Sequence, residues 1–146
     1  MYTGLVHLHN LLRWVVLIAL VIAILSIVLK KDALKAGKVL MISAHTSLLL
    51  GLYQYFFGNV GFQLIKSAAG GMKELMKDPA SRFWAVEHAF SMILAIVFIT
   101  IGHIKYKKTG KANPTLIFYV IALILILLMT PWPFKAFVGR PWYPGA

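Results

Sequence analysis

Four long apolar runs, separated by short polar stretches, set the pattern of this chain. Leu5 to Leu29 is broken only by a polar cluster at its start and by Ser26. Val39 to Gly58 carries Ser43, His45, Thr46, Ser47 and Gln54, and Phe83 to Ile104 carries Glu87, His88, Ser91, Thr100 and His103. The fourth, Thr115 to Thr130, is almost purely aliphatic, and Pro131 ends or kinks it. At ~1.5 Å per residue each run reaches across a hydrocarbon core of ~30 Å, the last with help from its ends. Backbone in lipid has to satisfy its own hydrogen bonds, so the runs are expected to be helices. The pattern predicts one all-α domain, an up-down integral membrane four-helix bundle, with spans at about 5–29, 39–58, 83–104 and 115–131.

Composition supports that reading. The 146 residues are 60% apolar, more than soluble domains of this size carry. The net charge of +11 matters through its placement. Lys30, Lys31, Lys35 and Lys38 fill the loop 30–38, and Lys105, Lys107, Lys108 and Lys111 fill the loop 105–114. Short lysine-rich loops stay on the cytoplasmic side. Loop 59–82 spreads Lys66, Lys73, Lys77 and Arg82 more thinly and offsets them with Glu74 and Asp78. Both termini and loop 59–82 are therefore expected outside, with loops 30–38 and 105–114 inside. The basic excess then reads as topology and attraction to anionic lipid, not as a nucleic-acid surface. With no cysteine, iron–sulfur ligation, disulfides and covalent haem attachment are excluded. The start of the chain lacks the features of a typical signal peptide, so the first span is expected to be retained.

Between the runs, Asp78-Pro79 reads as a helix cap and first residue, starting the third helix about a turn before its apolar run. Asn113-Pro114 marks the entry to the fourth. The stretch from Gly58 to Lys77 reads as irregular apart from a short amphipathic piece, MKELMK, suited to an interface. The tail 132–146 holds Trp132, Phe134, Phe137, Trp142 and Tyr143, a density that suits an interfacial belt or a segment folded back over the bundle.

Ionisable groups inside such runs cost ~2.5–3.5 kcal/mol each at mid-helix and mark function by default. By depth, His7, His9, Arg13, Gln54, Glu87 and His88 share one layer near the outer end. His9 and Arg13 are four apart and share a face, whereas His7 is turned ~200° from His9. Along the third run His88, Ser91, Ala95, Ile99 and Gly102 form a stripe of mostly small residues. Two depth-matched histidines on different helices, beside small residues, suit axial ligation of one haem b by His9 and His88. Arg13, Lys135 or Arg140 would take the propionates, and Gln54 with Tyr53 and Tyr55 is placed for a quinone head group. His45 and His103 are candidates for a second haem at the inner end, although their depths differ by about 6 Å. Two other readings stand beside this one. Arg13 and Glu87 form a buried ion pair, with the histidines only fixing helix register in a structural or accessory subunit. Alternatively His7, His9, Glu87 and His88 bind Zn or Cu, which requires residues 7–9 to leave the helix.

HLHNLLRW near the start, FWAVEHAFSMILAIVFITIGH in the third run and PWPF with GRPW at the end resemble small bacterial four-span proteins labelled cytochrome-b-like. The resemblance covers nearly the whole chain. More loosely, the first run is similar to the His-Trp-bearing first helix of bacterial cytochrome b561-type proteins, although Arg13 stands before Trp14 here. The resemblance implies a haem-b electron carrier in the cell inner membrane, working with quinol and a redox protein or larger complex. A bundle this small is also a candidate homodimer.

Overall fold

The computed structural model describes residues 2–143, and all regular structure among them is helical. Four long helices, α1 (Tyr2–Val28), α2 (Leu34–Phe57), α6 (His88–Thr109) and α7 (Ala112–Met129), form the bundle. Between α2 and α6 lie three short helices, α3 (Phe62–Ser67), α4 (Gly71–Leu75) and α5 (Pro79–Arg82), and a π turn over Phe83–Glu87. Stretch 58–77 is thus more ordered than expected. Leu75 of α4, within the predicted amphipathic piece, is buried, so burial of one apolar side chain helps hold this loop in place.

The ends of the helices follow local chemistry. Asp78 accepts a hydrogen bond from the Ser81 amide at 2.8 Å, with Pro79 behind it, as the cap reading requires. From there α5, the π turn and α6 run on as one continuous helical path from Pro79 to Thr109. Gly110 closes that path in the left-handed region, its amide donating to the Tyr106 carbonyl. At the end of α1 the same role falls to Lys30, whose φ is 56°. Thr130 is extended, and α7 stops just before Pro131.

Helix α1 packs against α2 and α7, and α6 packs against α7 and α2. The diagonal pairs are therefore α1 with α6 and α2 with α7. Small residues line the middle of the bundle: Ala19, Ala23, Ala44, Ala95 and Ala122 are buried around Leu20, Leu40, Ile99 and Tyr119. The predicted α6 stripe is buried from Ser91 through Ala95 and Ile99 to Gly102 and His103. Outward faces are as apolar as the interior, with Ile18, Ile22, Leu25, Leu49, Phe90, Ile117 and Leu128 all more than 45% exposed. By length and composition all four long helices can cross a membrane. A continuous apolar exterior of this size is not what a water-soluble bundle presents.

Candidate functional site

The polar groups of the expected layer do gather at the end of the bundle that carries both chain termini. They do not form one network. Each finds its own partner.

His9, on α1, donates from Nδ1 to the Ser47 carbonyl of α2 at 3.1 Å, with Ser47 Oγ at 3.2 Å from the same nitrogen. Its ring lies against Gly51, where a Cβ would sit 3.2 Å from His9 Cε1. The Ser43, Ser47 and Gly51 face of α2 thus makes room for an imidazole from the neighbouring helix. His88, on α6, donates from Nδ1 to the Met129 carbonyl at 2.8 Å. That carbonyl is at the end of α7, where Thr130 and Pro131 leave it without an intrahelical amide. Phe83 and Trp84 flank the His88 ring, each with its centroid 5.6 Å away.

The two imidazoles stand on diagonal helices of the bundle. Because a carbonyl can only accept, both rings carry the proton on Nδ1. Among the described residues Nε2 has no hydrogen-bond partner in either ring. A ring nitrogen fixed by a backbone carbonyl, with the other left basic, is the arrangement that orients a histidine for iron or another metal. Two imidazoles fixed in this way are donors of the kind that haem iron takes. Two clefts at this end hold about 240 and 270 Å³; Arg82, Phe83, Glu87 and Lys135 help line the first and Leu64, Glu74 and Asp78 the second, and neither of these includes a histidine.

Several expectations need correction. The ion pair between Arg13 and Glu87 does not form. Glu87 accepts from Arg82 Nε at 2.6 Å, five residues earlier in the chain. The π turn explains the change, since its i to i+5 bonding, seen in the His88 amide donating to the Phe83 carbonyl, brings residues five apart over one another. Arg13 turns instead to the tail, donating from Nη2 to the carbonyls of Pro141 at 3.1 Å and Trp142 at 2.9 Å. Its guanidinium lies over Trp14 and Trp132, 5.2 and 5.6 Å from their centroids. Its Nε is buried and without a partner among the described residues.

The tail folds back over the bundle. Trp14 Nε1 donates to the Trp142 carbonyl at 2.6 Å, and Asn10 reaches the Pro141 carbonyl at 3.3 Å. Arg13 is therefore not free for a propionate. Of the other expected cations, exposed Arg140 lies over Trp84 at 5.1 Å, while Lys135 lies over Phe83 at 5.4 Å and donates to the Leu128 carbonyl. Partial burial holds the Lys135 ammonium below its ordinary pKa, an effect the Glu87 carboxylate opposes.

Gln54 donates to the Leu5 carbonyl at 3.1 Å, so its amide joins α2 to the first turns of α1. Tyr55 donates to the Ala85 carbonyl inside the π turn at 2.9 Å, while Tyr53 stacks on Phe57. Ser91 is buried one turn below His88. Helix α1 is regular across His7 and His9, so the two rings diverge and the loosened helix needed for Zn or Cu is not formed. No group of three or more potential metal ligands comes together among the described residues. His45 and His103 do not share a site. His45 is exposed and donates to the Met41 carbonyl of its own helix at 2.8 Å. His103 is buried against Gly37, eight residues or about 12 Å along α2 from His45.

Sequence reasoning missed Arg82, Ser47 and the Met129 carbonyl. The four-residue spacing of Ser43, Ser47 and Gly51 is a usable signal for Ser47, while a main-chain acceptor has none. No protein-family model, curated protein or solved structure matches this chain.

Proposed function

We propose that this is a membrane-embedded haem-b protein of an electron-transfer chain, with His9 and His88 as the axial ligands of one haem. Both termini would lie on the outer side of a bacterial inner membrane, because the lysine-rich turns 30–38 and 105–114 favour the cytoplasmic side. The observation that carries the reading is the like state of two imidazoles on diagonal helices. Each has its Nδ1 proton committed to a carbonyl of a neighbouring helix, at 3.1 and 2.8 Å, and its Nε2 uncommitted.

When bound, haem supplies a one-electron couple whose potential follows from ligands, burial and nearby charge. The chain's own part is to fix two neutral imidazoles, to surround them with apolar side chains, and to keep cations nearby. Arg140 and Lys135 are those cations, because both lie over aromatic rings that flank His88. Quinol and a redox protein are the proposed partners.

The test is a reduced-minus-oxidised visible spectrum of the protein purified in detergent. A bis-histidine haem gives sharp bands that vanish in His9→Ala and His88→Ala and persist in His45→Ala. Colourless protein with full helical circular dichroism overturns the reading. That outcome favours a second one, in which the same two hydrogen bonds tie α1 to α2 and α6 to α7 in a structural or accessory subunit.

A further inference from the structure

At the end of the bundle opposite the chain termini, three helices bring together a second set of polar groups. Gly37 lies near the start of α2, His103 near the end of α6 and Tyr119 in α7. His103 is 7% exposed and Tyr119 1%. A Cβ on Gly37 would lie 2.7 Å from His103 Nδ1 and 2.8 Å from Tyr119 Oη. The imidazole nitrogen and the phenol oxygen therefore converge on one point of the α2 backbone, no more than two hydrogen-bond lengths apart.

Neither atom has a hydrogen-bond partner among the described residues, and neither is sealed from solvent. Other buried hydroxyls behave differently. Thr115 donates to the Gly102 carbonyl, Ser43 to that of Leu40 and, at the far end of α7, Thr130 to that of Ile126. Both rings are packed into the bundle while these two polar atoms stay reachable and unpaired, so a ligand arriving at this end can pair both at one point.

The charge around them says what kind. Lys38 follows Gly37 on α2, and Lys107 lies one helical turn beyond His103 on α6. Loops 30–38 and 105–114 together hold eight lysines against the single carboxylate of Asp32. A neutral imidazole and a phenol each supply one donor, and a positive field favours an acceptor that carries negative charge. We infer that His103 and Tyr119, with Lys38 and Lys107, bind a phosphate oxygen at this end of the bundle, that of an anionic phospholipid headgroup. The lysines bring the headgroup to the surface, where each contributes through charge alone. The imidazole and phenol make the place specific. This site is independent of any haem at His9 and His88.

The experiment uses native mass spectrometry on the full chain, delipidated in a neutral detergent. Phosphatidylglycerol, phosphatidylcholine and inorganic phosphate are offered in turn. Phosphatidylglycerol is retained in preference to phosphatidylcholine. Tyr119→Phe, which keeps the ring and removes one donor, weakens that retention about fivefold with helical content unchanged. Lys38→Gln with Lys107→Gln weakens it as well, whereas Lys31→Gln with Lys108→Gln, equal in net charge, does not. His103→Gln repeats the test if Tyr119→Phe fails to fold. Unaltered retention by the folded variant, or equal loss in both lysine pairs, overturns the site. Inorganic phosphate bound in a Tyr119-dependent way without retention of phosphatidylglycerol would overturn the headgroup assignment.

Discussion

The guanidinium of Arg13 holds the main-chain carbonyl of Trp142 at 2.9 Å, across 129 residues of sequence. With the bond to Pro141 it fixes the tail over the first turns of α1, inside a cluster where Trp14, Trp132 and Trp142 lie about 6 Å from one another. Hydrogen bonds from a charged donor are worth about 1.5–3 kcal/mol each, and partial exposure of Arg13 lowers that figure. Arg13→Ala is therefore expected to weaken tail docking by about 2 kcal/mol. Limited trypsin digestion at Lys135 should accelerate accordingly, with helical content unchanged. Arg13→Lys should fall between, since one ammonium cannot reproduce the planar contact with both indoles.

Glycine substitutions in this bundle should differ sharply. Gly37→Ala and Gly102→Ala would each place a methyl group 2.7–2.8 Å from His103 or Tyr119. Overpacking of that kind costs about 1–3 kcal/mol. Gly51→Ala meets only the rim of the His9 ring, at 3.2 Å, and should cost less. Gly4→Ala meets nothing within 4 Å in the first turn of α1 and should gain up to about 1 kcal/mol from helix propensity. Thermal unfolding in one detergent ranks the four.

Lys30 closes α1 at φ 56°, with the Lys31 amide donating to the Ser26 carbonyl at 2.7 Å. That is the glycine position of a helix C-terminus. Lys30→Gly should raise stability by about 0.5–1 kcal/mol, because the left-handed conformation carries a steric cost for lysine and none for glycine. A lysine-to-serine change at the same place controls for the lost charge.

The cap at Asp78 sets a pH dependence. Hydrogen bonds from Ser81 hold the carboxyl below its ordinary pKa in the folded protein. A carboxylate lowered on folding contributes stability above its unfolded pKa and loses it as pH falls through the lowered folded value. Amide exchange in residues 80–83 should therefore accelerate as pH drops through the acid range, after correction for intrinsic rates. Asp78→Asn, which retains an acceptor, should remove that acid dependence.

What the sequence made legible was the arithmetic of apolar runs and a few local devices. The four long helices, the Asp78-Pro79 start and the stop at Pro131 all follow from short-range chemistry. The partners of Arg13 and Glu87 did not. One change depends on the π turn over Phe83–Glu87, which no residue preference announces, and which hands Glu87 to Arg82. The other depends on a tail whose docking is a long-range event between carbonyls and a cation. The partner of His9 is the backbone of Ser47, and backbone acceptors leave no mark in a sequence.

The histidine bonds also divide the fold mechanically. His9 to Ser47 fastens α1 to α2, and His88 to Met129 fastens α6 to α7, so each hairpin is riveted within itself. Neither bond crosses the seam between the hairpins, and the packing of α1 on α7 is the lighter side of that seam. At its terminal end the seam is latched by Arg13 gripping the strap that follows α7. The protein is thus a book of two stiff leaves, clasped by Arg13 on the α1–α7 side and by the Tyr55 bond to Ala85 on the α2–α6 side. A flat guest entering from the α1–α7 side would disturb neither rivet, and there the Arg13 clasp is the part that has to yield.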